Sequence, residues 1–181
     1  MPRIAPLTAE NADADTAAML HAIKAKIGML PNLHATFAQA PSVLNAYLAF
    51  ADALGSGQLT DQQREIVALA TAQANQCHYC VSAHSLLGKG AGLDDNAILA
   101  ARHGRAADPV NAAIASLAVA LVETRGRVSD AALDDARAAG LGDGQIIEVI
   151  ANVSLNILTN YTNNVAATDI DFPVVDLAIA A

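Results

Sequence analysis

Apolar positions recur along this chain three and four residues apart, and no stretch alternates apolar with polar over the length of a strand. From Asp13 to Ile27 the positions Leu20, Ile23 and Ile27 form one stripe, and Gly28 is placed to end the helix. A short helix around 33–38 follows. Pro41 then suits the first turn of a helix reaching Leu54, with Leu44, Tyr47, Leu48 and Leu54 as its packed positions. After Gly55-Ser56-Gly57, Thr60 and Gln63 have the spacing of a capping box, in which hydroxyl and amide each satisfy an orphan backbone N–H. That predicts a helix through about Asn75, with Ile66, Leu69, Ala70 and Gln73 near one face. The pattern breaks at Gln76-Cys77, resumes near His78 and ends near Gly88 or Gly90. Further helix starts are signalled at Asp94, at Asp108-Pro109 with Ile114, Leu117 and Leu121 inward, at Ser129, and at Asp143 or Gly144, the last reaching about Asn163. The expected fold is an all-α, single-domain bundle over 1–181, of about eight or nine helices by the number of periodic runs and caps. An N-terminal arm spans 1–12. The apolar tail over 165–181 suits either a subunit interface or docking on its own domain.

Composition agrees with helices. Hydrophobic residues make up 54% of the chain but aromatic ones only 3%, so the apolar mass is mostly Ala, Leu, Ile and Val, which favours close helix packing over a sheet. A net charge of -8 without any Lys/Arg cluster leaves nothing to neutralise phosphates, so no nucleic acid is expected as a partner. The longest strongly apolar run, Ala112 to Val122, is far short of the roughly 20 residues a bilayer span needs. The first ten residues lack the pattern of a secretory signal. A cytoplasmic protein without membrane contact is the expectation.

Both cysteines of the chain lie in one stretch, Glu65 to His84. A bridge between Cys77 and Cys80 closes almost no loop, so in a reducing compartment the pair points to redox chemistry or metal binding rather than a structural staple. Cys77, Cys80 and His84 follow one another at offsets of three and four, along one side of a helix. With the helix starting near His78, Cys77 is its N-cap and Cys80 lies in its first turn, where free N–H groups and the helix dipole favour thiolate. A sulfenic acid on either sulfur is within reach of the other, and His84 is placed to exchange a proton with Cys80. Helix geometry alone favours Cys77 as attacking sulfur about as readily as Cys80. Glu65, on the preceding helix, approaches His84 or Cys80 if the two helices pack as an antiparallel or strongly crossed pair. A metal site is the weaker reading, because a closed zinc site takes four ligands and these residues supply three.

Glu65, eleven residues, Cys77-His78-Tyr79-Cys80, three residues and His84 together resemble the motif of the alkylhydroperoxidase AhpD-like group within the carboxymuconolactone decarboxylase superfamily. Leu59-Thr60, Asn160-Tyr161-Thr162-Asn163-Asn164 and Asp171-Phe172-Pro173 also look like that family, so the resemblance runs from about Leu30 to the tail. It implies an all-α fold, a homo-oligomer (dimer, trimer or hexamer), and a peroxidase that uses neither metal nor other cofactor. It further implies that Cys80 attacks the peroxide, Cys77 resolves, His84 and Glu65 relay the proton, and an external dithiol reduces the disulfide. Some members carry a further His immediately before the second cysteine; here that place holds Tyr79, with His78 one earlier.

Two other functions are weighed against the hydroperoxidase. A non-redox lactone decarboxylase of the wider superfamily does not need the cysteine pair and wants basic pocket residues that the chain does not announce. A redox sensor or non-catalytic helical oligomer would oxidise its thiols without turnover. His21, His34 and His103 have no partner pattern, so surface, packing or capping roles are expected. For the dense Asn160, Asn163 and Asn164, terminal capping is the simpler reading beside hydrogen bonding around the site.

Overall fold

The computed structural model describes residues 1–179. Among them there are nine α-helices and no strand: α1 Ala14–Ile27, α2 Asn32–Phe37, α3 Pro41–Gly55, α4 Asp61–Ala74, α5 His78–Gly90, α6 Asp95–Arg102, α7 Pro109–Thr124, α8 Asp130–Ala138 and α9 Asp143–Ala166. The expected starts correspond to real caps. Asp13, Asp94, Asp108 and Ser129 each accept the backbone N–H three residues on. Thr60 and Gln63 form the reciprocal capping box. No helix among the described residues is long and apolar enough to cross a membrane.

The helix α4 is the axis of the bundle. Every residue from Ile66 to Gln73 is buried, so it is enclosed on all sides rather than on one stripe. Its alanines, Ala68, Ala70 and Ala72, let neighbouring helices approach closely. One face packs with α6, α7 and α9 around Val67, Leu69, Ile114, Leu117 and Val149. A second core joins α1, α2, α3 and α5 through Leu20, Leu33, Phe37, Leu44, Val81 and both cysteines. Ile27, expected in the core stripe, is half exposed at 50%. It stands in the last turn of α1, where Gly28 turns left-handed (φ 87°) and the chain leaves the bundle.

Arm and tail both dock on their own chain. Arg3 N–H donates to Ala166 O at 2.6 Å, and Leu7 N–H to Ala35 O at 2.8 Å. The tail, which starts after α9 at Ala167, packs Phe172, Val175 and Leu177 on the second core. Its polar anchors are buried Arg102, donating to Asp176 O (2.6 Å) and Leu177 O (3.2 Å), and Asp171, which accepts the N–H of Asn32 at 2.7 Å. Positions 180 and 181 of the expected tail lie outside the described residues.

Leu69→Ala removes a fully buried side chain from the axis and should cost about 2–5 kcal/mol. Ile27→Ala should change stability by no more than about 0.5 kcal/mol. Urea midpoints at unchanged slope measure both, and equal losses would contradict these placements.

Candidate functional site

The site begins where α4 stops. Asn75 ends the helix and Gln76 takes a left-handed backbone (φ 52°), a conformation usually left to Gly or Asn. Gln76 N–H then bonds Gln73 O at 3.1 Å and Cys77 N–H bonds Ala72 O at 2.9 Å, the bond pattern of a Schellman motif. The Gln76 side chain adds a bond of its own, from Nε2 to Gln73 O at 2.9 Å. Cys77, which closes this motif, is also the N-cap of α5, where its sulfur accepts the Cys80 N–H at 3.3 Å. Cys77 and Cys80 are joined as a disulfide, with Cα atoms 5.2 Å apart.

Packing of α5 on α4 brings His84 Nδ1 to 2.8 Å from Glu65 Oε2. A carboxylate only accepts, so Nδ1 carries the proton in this bond and Nε2 is the free nitrogen. Glu65, His84 and Cys80 line one cavity of about 190 Å³, walled by α9 on the far side. Cys77 does not line it and is 0% exposed, against 2% for Cys80. The two sulfurs are therefore inequivalent: one faces the cavity and one is sealed in the core. Tyr47 lines the cavity as well. Its burial, with the Glu65 carboxylate nearby, pushes the phenol above its ordinary pKa and keeps it protonated. Among the described residues no three or more His, Cys, Asp or Glu side chains are grouped to hold a metal ion.

Helix α9 supplies Asn163, for which hydrogen bonding around the site was the second reading, and three residues that the sequence reading missed. Asn163 Nδ2 donates to Cys80 Sγ at 3.3 Å, and Asn152, Asn156 and Thr159 line the cavity. Their spacing of four, three and four along a long apolar helix was the available signal. The asparagines do not cap α9, as the simpler reading had it. Asn160 accepts from Asn75 Nδ2 (3.0 Å) and Asn164 donates to Asn75 O (3.0 Å), so they tie α9 to the end of α4 beside the cysteines. Tyr79 is a strut: its hydroxyl accepts the Leu33 N–H at 3.2 Å and its ring meets Phe172 edge-on. Burial pushes its phenol upward, so it is no proton carrier. His78 is half buried, with Nε2 lacking a partner. His34 is packed rather than exposed, against Tyr47, and burial lowers its pKa. His21 is exposed, and His103 is the C-cap of α6.

These features define an all-α protein with a buried Cys-x-x-Cys disulfide, a Glu–His pair and one cavity touching both. Residues 41–123, spanning α3 to α7, match the carboxymuconolactone decarboxylase family. That central segment resembles the family, and the fold as a whole is AhpD-like. The AhpD-core, peroxidase-related protein of Ralstonia eutropha JMP134 superposes with a TM-score of 0.84 at 24% identity, over 94% of this chain and 92% of that one. A peroxidase-related protein of Silicibacter sp. TM1040 gives 0.79 at 22%, over 92% and 91%. The debrominase Bmp8 in complex with 2,3,4-tribromopyrrole gives 0.78 at 17%, over 93% and 91%. No curated protein matches at the sequence level.

An amide donor on sulfur favours thiolate, so Asn163→Ala should raise the Cys80 thiol pKa in the reduced protein by about one unit. Titration of ultraviolet thiolate absorbance in a Cys77→Ser background measures it, and an unchanged or lower value contradicts the role.

Proposed function

We propose that this chain is a cytoplasmic thiol peroxidase that reduces hydroperoxides through Cys80 and Cys77, with electrons from an external dithiol. The observation that carries the reading is the inequivalence of the sulfurs: Cys80 lines the cavity that Glu65 and His84 also line, while Cys77 is sealed at a helix N-terminus. In the reduced protein His84, oriented by Glu65, takes the Cys80 proton. The Cys80 thiolate attacks an oxygen of ROOH; an S–O bond forms, the O–O bond breaks, and RO⁻ leaves with the proton held by His84 as ROH. Cys77, whose thiolate is favoured by the N–H groups of α5, then attacks the sulfenic sulfur. The S–S bond forms and hydroxide leaves, leaving as water once it takes the Cys77 proton.

Reduction runs the same asymmetry in reverse. A thiolate of the external dithiol attacks Cys80, the sulfur that faces the cavity, and Cys77 departs as the better leaving group because its thiolate is stabilised at the cap. The second thiolate of the donor releases Cys80. Two electrons and two protons return to the pair, and the donor becomes a disulfide.

The chain is also proposed to be a single-domain homo-oligomer. Ile147, Ile150, Leu158, Tyr161 and Val165 are exposed along one stripe of α9, spaced as a helix seam and running beside the α7–α9 groove.

Peroxide consumption with a dithiol donor should vanish in Cys80→Ser and lose its dithiol-coupled turnover in Cys77→Ser, which should instead trap a sulfenic acid. Glu65→Gln should slow turnover by about 10² or more, the usual range for losing acid–base assistance. Wild-type rates in Cys80→Ser would refute the peroxidase. Separately, Leu158→Glu should lower the mass seen by light scattering to that of one chain; a wild-type chain that is already monomeric would remove the seam proposal.

A further inference from the structure

The cavity beside Cys80 has a polar wall that peroxide reduction by itself does not require. Asn152, Asn156 and Thr159 line it from successive turns of α9, and each is more than nine-tenths buried. Their donors are all turned inward: Asn152 Nδ2 bonds Glu148 O (2.8 Å), Asn156 Nδ2 bonds Asn152 O (2.8 Å), and Thr159 Oγ1 bonds Asn156 O (2.9 Å). A backbone carbonyl can only accept, so the amide end facing it must be the NH₂. Chemistry thus settles the orientation of both amides and leaves each Oδ1 directed away from the helix backbone. Neither Oδ1 meets a protein donor among the described residues, and neither is sealed from solvent without a partner. Since both residues are buried and line the cavity, that accessible oxygen surface belongs to the cavity wall.

The opposite wall adds the Glu65 carboxylate, a further acceptor. The guanidinium of Arg64, which also lines the cavity, is committed to Leu59 O and to Asp61 Oδ1, both at 2.5 Å. The Tyr47 hydroxyl accepts as well as donates. The free Nε2 of His84 and the Cys80 sulfur also face the cavity, and the rest of the lining is mainly apolar, with Leu33, Leu54 and Leu155 among it. A volume of about 190 Å³ holds roughly six waters and falls below the ~300 Å³ of sites for drug-sized ligands. Along α9, Thr159 and Asn156 lie about 6 Å and 10 Å of helix rise from Asn163, the residue on the Cys80 sulfur.

We propose that this cavity selects a small uncharged molecule, of one ring or a short chain, that carries a hydroxyl or N–H donor at the end remote from Cys80, and rejects carboxylates. Resting on the peroxidase reading, this makes the preferred hydroperoxide one whose R group bears that donor. An anion placed there would face oxygen lone pairs, and the guanidinium in the lining, Arg64, is already paired with Asp61 and bonded to Leu59 O, which leaves little to offset the lost hydration. A molecule lacking the donor leaves the acceptors to be dehydrated without replacement.

Calorimetric titration of the oxidised protein with para-ethylphenol, para-ethylanisole and para-ethylbenzoate tests this without any peroxide. The phenol should bind about tenfold tighter than the anisole, the effect of one neutral hydrogen bond, and the benzoate should not bind. Asn156→Leu and Thr159→Val should each narrow the phenol–anisole gap to less than about threefold; Thr159→Val keeps the side-chain shape and decides the matter if the other variant does not fold. Failure of the phenol to bind, equal binding of the anisole or benzoate, or a full gap retained by the folded variants would overturn the inference. Selective binding in a protein that consumes no peroxide would instead keep the cavity assignment and refute the peroxidase.

Discussion

The whole site depends on a constraint at one point of the backbone: α4 has to end and α5 has to begin within three residues. Gln76 makes this happen by accepting a left-handed conformation that costs a non-glycine residue roughly 1–2 kcal/mol. Its side-chain bond to Gln73 O and the two bonds of the Schellman motif offset that cost. The product is a single residue, Cys77, that closes one helix and caps the next. Its sulfur is thereby held against the free N–H groups of α5, with Cys80 one turn further on. The same reversal returns α5 along α4, which is how Glu65 and His84, nineteen positions apart, come to share a hydrogen bond.

Burial then divides the labour between chemically identical groups. Two sulfurs on one helix turn would be interchangeable in water. Here Cys77 is enclosed by the second core, while Cys80 opens on a cavity and takes a hydrogen bond from Asn163. The tail contributes to this enclosure. Phe172 braces Tyr79, and Arg102 with Gln73 holds the tail around Leu177 through its carbonyls. An apolar strap alone would leave those carbonyls without partners, and a buried unpaired carbonyl costs about as much as a lost hydrogen bond. A guanidinium with several donors in a fixed plane satisfies them together.

Helix α9 joins these parts because it is polar in an unexpected direction. Its buried face carries amides and a hydroxyl rather than leucines, while Ile147, Leu158, Tyr161 and Val165 are on the outside. Buried amides are tolerable only when satisfied, and most of these bond their own helix or the end of α4. The wall they form is rigid and aimed, with its donors turned toward the backbone and its acceptors toward the cavity. Such a wall can discriminate between molecules of similar size and different hydrogen-bonding character, which an aliphatic wall cannot do.

Local rules in the sequence determined a great deal: the helices, their capping residues, the break before His78, and the placement of Cys77, Cys80 and His84 along one side of α5. Each follows from interactions within four residues, such as a side-chain oxygen on a nearby N–H or a repeat matching the helical turn. What the sequence could not decide depends on contacts between distant segments. Ile27 belonged to the helical stripe but ended outside, because the stripe says which face is apolar and not how far the neighbouring helix extends. The asparagines of α9 resembled caps because a cap is the nearest use for such a residue. Their actual partners, Cys80 and Asn75, lie more than eighty positions away. Which sulfur meets the cavity was likewise undecidable along one helix, since it is settled by what α9, α3 and the tail place on either side of it.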